Sequence, residues 1–112
     1  MADNNEKDRF RGMMGLAAKA GKIRSGEFST EQSIRSGRAK LCILASDSSE
    51  RTAKHFTDMC RYRNVPIRTA VVDKTALGRM IGREPRASVV IEDEGFAGVI
   101  VGLIDGGNAS GK

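Results

Sequence analysis

Within FRGMMGLAAKAG, Phe10, Met13, Met14 and Ala17 fall at i, i+3, i+4 and i+7, which marks one apolar helix face, and Gly21 follows as a C-terminal cap. A short strand over 22–25 comes next. STEQSIRSG then reads as a helix bounded by Gly26 and Gly37, with Ser29 and Gln32 at the three-residue spacing of a capping box. AKLCILA is a continuous apolar run, as expected of a strand buried on both faces of a parallel sheet. DSSE opens a further helix, Asp47 and Glu50 again standing at capping-box spacing, with Ala53, Phe56, Met59 and Cys60 as its inner face. Asn64, Val65 and Pro66 end it, and IRTAVV is the next strand. DKTALGRMIG forms a short helix with Leu77, Met80 and Ile81 inward. The loop REPRA leads to the strand SVVIE. The last helix, EGFAGVIVGLI, is apolar on most sides, which suits packing into a groove.

The order αβαβαβαβα predicts an α/β fold, a three-layer α-β-α sandwich around a mixed four-stranded sheet with right-handed crossovers. A chain of 112 residues fits one domain. Its expected limits are 9–104, with 1–8 a disordered N-terminus and 105–112 a flexible tail. Hydrophobic residues make up 39% of the chain, with no Trp, one Tyr and four Phe, so the core must be mainly aliphatic. No apolar run approaches the roughly 20 residues of a membrane span, and MADNNEKDRF lacks the apolar stretch of a signal peptide. The expectation is a cytoplasmic chain with no membrane partner, acting as a monomer.

Charge changes the picture. The net +5 is unevenly spread: residues 19–40 hold six cations against two acids, 74–88 four against one, and 89–112 one against four. Such segregation suits a face prepared for a polyanion, although a soluble basic surface has the same composition.

Catalytic and metal chemistry find little support. Cys42 and Cys60 form no CxxC and His55 stands alone, so neither a metal site nor any other cofactor is expected. Both cysteines read as small buried hydrophobes. No nucleophile has an evident base beside it, and the acids of DSSE and EDE sit where helices begin, complementing helix dipoles. No GxGxxG follows a strand. GGNASGK has GxxxxGK spacing but lacks the Ser or Thr and helix that must follow, and reads as a flexible tail. The chain is expected not to be an enzyme.

The informative segment is SGEFSTEQSIRSGRAKLCILASD. Backbone N–H groups at its helix start point outward and favour phosphate or base-edge acceptors, and Gly26 permits close backbone approach. Lys22, Arg35, Arg38 and Lys40 flank it in sequence. The plainer reading makes Ser29 and Gln32 only a capping box and Gly26 only a turn; both readings stand.

Together with LAAKAGKIRSGE, RNVPI, TALGRMIGR and ASVVIEDEGFA, this segment resembles the kink-turn-binding ribosomal proteins of the L-seven-Ae and L-thirty-e type, nearest their small bacterial YlxQ-like branch. The resemblance runs from about Phe10 to Ile104. It implies an α-β-α sandwich that binds structured RNA without catalysis. By the same resemblance, Gly26, Glu27, Phe28, Ser29 and Gln32 dock into the kink, with Arg35, Arg38 and Lys40 close by. A second loop, Arg83, Glu84, Pro85, Arg86 and Ala87, covers unstacked bases. Archaeal members carry Asn, Glu and Lys where this chain has Phe28, Ser29 and Gln32. Phe28 serves either to staple the helix start to the core or to stack on an unpaired base; the staple is the favoured reading. Two functions from different classes follow: a structured-RNA binder, ribosome- or translation-associated, or a protein-interaction module of the translation or transcription machinery on the same fold.

Overall fold

The protein is described by a computed structural model covering residues 2–109, with side chains placed for 7–106. Nine elements follow in the expected order: α1 (Ala2–Lys19), β1 (Ile23–Ser25), α2 (Glu27–Arg35), β2 (Leu41–Leu44), α3 (Glu50–Arg63), β3 (Ile67–Thr69), α4 (Lys74–Met80), β4 (Ser88–Ile91) and α5 (Glu94–Ala109).

The sheet order is β1-β4-β2-β3. Strand β4 is antiparallel to both neighbours, and β2 pairs parallel to β3 in the register Cys42 to Ile67. The two central strands are buried at every position, which is why they read as continuous apolar runs in place of an alternation. Their residues divide by parity. Leu41, Ile43, Val89 and Ile91 join Phe10, Met14, Leu77 and Ile100 in one core layer, against α1, α4 and α5. Cys42, Leu44 and Val90 join Ile34, Phe56 and Cys60 in the other, against α2 and α3. Each such large side chain stabilises the fold by roughly 1.5–3 kcal/mol. The edge strands have three residues each, too short to template another chain.

The cysteines are free and buried in that second layer. A hydrogen bond to Cys60, reinforced by burial, pushes the Cys42 thiol up and keeps it protonated.

Several local expectations are corrected. Helix α2 starts at Glu27, with Gly26 as its N-cap and no side-chain cap bond; Ser29 is therefore the third helical residue, and no capping box forms with Gln32. The cap of α3 is Ser49, whose Oγ accepts from the Thr52 N–H at 3.0 Å. Asp47 instead accepts from the Lys74 N–H at 2.9 Å and ties the β2–α3 loop to the start of α4. Helix α5 buries one face, Ala97, Ile100 and Ile104, and leaves Val99 exposed. Of the terminal helices, α1 runs from Ala2 and α5 to Ala109. On α5, Arg68 Nε donates to Asp105 Oδ1 at 2.8 Å and holds that carboxyl below the usual range. Met1 and the tail positions 110–112 lie outside the described residues.

Candidate nucleic-acid interface

Strand β1 ends where β4 begins. The Gly26 N–H donates to the Ser88 carbonyl at 3.0 Å. Gly26 itself has φ 90 and ψ 162, a conformation open to glycine, and this lets the strand turn straight into α2. Thr30, fully buried one turn into α2, accepts from Ser88 Oγ at 3.3 Å. The start of α2 is thereby fixed to the start of β4, and with it to the loop that precedes β4.

That loop, 83–87, is held from three sides. Gly82 reverses the chain after α4 at φ 73. The Arg83 N–H donates to the Gly78 carbonyl at 2.8 Å, and the Arg86 N–H to the Lys74 carbonyl at 3.0 Å. Gly78 lets the loop lie on α4: a Cβ there would stand 2.0 Å from the Glu84 carbonyl oxygen. Arg86 closes the arrangement. Its Nε donates to Ser25 Oγ at 3.0 Å, and its Nη1 to the carbonyls of Glu84 and Pro85.

The glycine turn and the loop are 57 residues apart in sequence, counting Gly26 to Arg83, and here they share one cavity of about 320 Å³. Its floor is Ala18, Ile23 and Ile81; its walls are Arg24, Ser25, Ser29, Arg83 and Arg86. Three guanidinium groups around a partly apolar floor match a planar base carrying phosphates. Arg83, Glu84 and Pro85 are exposed, while Arg86 and Ala87 are half-buried. Arg24 is held by Glu92 at 3.8 Å, and Glu92 also accepts from Ser33 Oγ at 2.6 Å.

Phe28 is 72% exposed, so the staple reading is corrected. With the helix starting two residues early, Phe28 lies on the outer face, in line with Gln32 and Arg35 at i, i+4 and i+7. Glu27 is exposed on the flank facing α3. There Glu27, Glu31 and His55 place ligand-type atoms within 4.8 Å of one another. His55 Nε2 and Glu31 Oε2 are hydrogen-bonded at 2.5 Å, and Arg35 Nη2 lies 3.7 Å from Glu31 Oε1. The His55–Glu31 hydrogen bond thus joins α3 to α2, and Arg35 pairs with Glu31 within α2.

The candidate residues do not form one surface. Gly26 and Ser29 gather with Arg83 and Arg86 at one end of the sheet, whereas Glu27 faces α3 and Phe28 and Gln32 lie on the outer face of α2. Lys22 and Lys40 stand at the other end, flanking the far end of β4: the Lys40 N–H donates to the Ile91 carbonyl, and the Glu92 N–H to the Lys22 carbonyl, both at 2.7 Å. Arg38 lies in the same far turn. Arg35 ends the exposed stripe of α2 between the two. Arg24, Ser25 and Gly78 were missed from sequence. Only the i+2 position of Arg24 from Lys22 hinted at one; the roles of the other two depend on a contact across the fold.

A family model described as ribosomal protein L7Ae/L30e/S12e/Gadd45 family matches residues 8–101. The chain is 44% identical over 93 residues to the RNA-binding protein YlxQ of Bacillus subtilis (strain 168), covering 83% of this chain and 92% of that one. It is 38% identical over 104 residues to the RNA-binding protein YlxQ of Enterococcus faecium, covering 91% and 99%. Among solved structures, a protein of unknown function from Bacillus halodurans C superposes with a TM-score of 0.81 at 31% identity, covering 86% of this chain and 96% of that one. The 15.5kD RNA binding protein of Giardia lamblia shares the fold, with a TM-score of 0.74 at 20% identity over 97% and 90% of the two chains. On the extent of the match, the chain belongs to the ribosomal protein L7Ae/L30e/S12e/Gadd45 family.

Proposed function

We propose that this chain is a non-catalytic, ribosome- or translation-associated binder of structured RNA, acting in the cytoplasm as a monomer and recognising a kinked or bulged element. The observation that carries the reading is the cavity between the glycine turn and the loop 83–87, joined by the Arg86–Ser25 hydrogen bond. Bases are held in a continuous duplex, so a cavity of base size with cationic walls favours RNA whose bases are splayed. In this reading Arg83 and Arg24 engage the extruded nucleotide, and the N–H groups at the start of α2 face phosphate or base edges. Phe28 stacks on an unpaired base, replacing a polar contact by a π-face. The two relatives whose names describe them as RNA-binding proteins support the substrate class.

A gel-shift titration with a kinked RNA and a plain duplex of equal length, at two salt concentrations, tests this. The expected result is salt-sensitive binding that favours the kinked RNA. Equal affinity for both would remove the shape reading. No binding to any structured RNA would favour a protein partner, for which the exposed Phe28 is the natural contact.

A further inference from the structure

The end of the sheet opposite the glycine turn carries a second cationic surface. Helices α2 and α3 both finish there, at Arg35 and Arg63, and the turns that follow lead into the parallel strands β2 and β3. Lys40 and Arg63 line a groove of about 670 Å³ above Ile34, Ala39 and Val65. Arg38, Lys40, Arg61 and Arg63 are exposed, and none of them is ion-paired among the described residues. Glu94 is the one acid on the groove, and Arg68, at its wall, is taken by Asp105.

Cations in the last turn of a helix complement its dipole, and this gives Arg61 and Arg63 a local reason to be there. It gives none for Arg38 and Lys40, which lie outside any helix. Nor does it explain Tyr62, which is 81% exposed on the last turn of α3. The Arg63 guanidinium carbon stands 5.5 Å from the Tyr62 ring centroid. One ring face is therefore backed by a cation while the ring as a whole remains open to solvent.

We infer that this end binds a second, single-stranded segment of RNA, with an unpaired base stacked on Tyr62 and phosphates on Arg38, Lys40, Arg61 and Arg63. A stacking platform beside an unpaired cationic track is the recognition chemistry of single strands. A duplex offers no free base face to Tyr62, and an acidic peptide would use the cations but leave the ring without a role. The surface shares no residue with the cavity at the first end, from which the nine residues of α2 separate it by about 13 Å. One molecule thus grips a folded RNA element with one end and its flanking strand with the other.

The chain contains one Tyr and no Trp, so its intrinsic fluorescence reports on Tyr62 alone. The full chain is titrated with an unstructured ten-nucleotide oligoadenylate, with emission corrected for absorption by the bases. The expected result is saturable quenching that survives Arg83→Ala and disappears in the triple variant Arg38→Glu, Lys40→Glu, Arg63→Glu. In a parallel anisotropy titration with labelled oligoadenylate, Tyr62→Ala should weaken binding by roughly 5- to 150-fold, the range expected for one stacked base. Circular dichroism melts establish that these surface variants are folded. Absence of quenching, or equal anisotropy affinity for Tyr62→Ala and the parent, overturns the inference, as does competition by polyglutamate with no change in Tyr62 emission, which would assign the surface to an acidic protein. The inference rests on the chain being an RNA binder but not on the kink. Binding of oligoadenylate without preference for kinked RNA would remove the first-end reading alone, and kinked-RNA binding without quenching would remove this one alone.

Discussion

Gly26 occupies a backbone conformation that a side chain enters only under strain, yet a Cβ there would meet nothing within 4 Å. The obstacle to substitution is therefore torsional and not steric. Gly26→Ala is expected to cost about 1–3 kcal/mol of stability, read by thermal or urea unfolding, and to weaken binding of kinked RNA because the turn sets the height of the α2 start. An unchanged melting curve would show that the turn relaxes without loss. Ser29 makes the opposite case. It caps nothing and faces the cavity, so Ser29→Ala should leave stability within about 0.5 kcal/mol while reducing RNA affinity. A loss of stability without loss of binding would return Ser29 to a structural role. The sequence spacing with Gln32 pointed the other way because a capping box is defined by where a helix begins, and here glycine geometry moves that beginning forward by two residues.

At the scale of elements, α4 matters less for its own burial than as the rest on which the loop 83–87 lies. Gly78 is the point of closest approach. Gly78→Ala must push the loop backbone away, at a cost of about 1–3 kcal/mol, and should abolish the preference for kinked RNA over duplex even under conditions where the variant remains folded. Retained preference would mean that the loop does not read shape. The two loop arginines should separate. Arg86 spends its bonds on Ser25, Glu84 and Pro85, so Arg86→Ala should increase proteolytic cleavage within 83–87. Arg83 makes no side-chain hydrogen bond or ion pair among the described residues and is exposed, so Arg83→Ala should leave protease resistance intact and flatten the salt dependence of RNA binding by about one unit of slope.

Taken whole, the molecule is a sheet with a chemically distinct surface at each end, braced on both faces by helices. Effects of substitutions at sites more than about 7–10 Å apart add within roughly 0.3–0.5 kcal/mol. Arg83→Ala and Lys40→Ala are accordingly expected to be additive on an RNA that carries both a kink and a single-stranded flank, measured as a double-mutant cycle by gel shift. A coupling well beyond that range would show that the two ends contact one continuous RNA feature.

The sequence by itself determined the order of elements, the two buried strands and the membership of the core, because each rests on local information: periodicity marks a helix face, and an unbroken apolar run such as Leu41–Leu44 marks a strand covered on both sides. It also showed that the basic residues cluster along the chain. The tertiary structure alone decided which of them act together. Lys22, Gly26, Arg38 and Lys40 are neighbours in sequence, yet a three-residue strand and a nine-residue helix carry them to opposite ends of the sheet. Ser25 and Arg83 are distant in sequence, and the pairing of β1 with β4 makes them walls of one site. Hydrophobic pattern records the environment of each residue, whereas a binding surface is set by long-range strand pairing, which no short window of sequence contains.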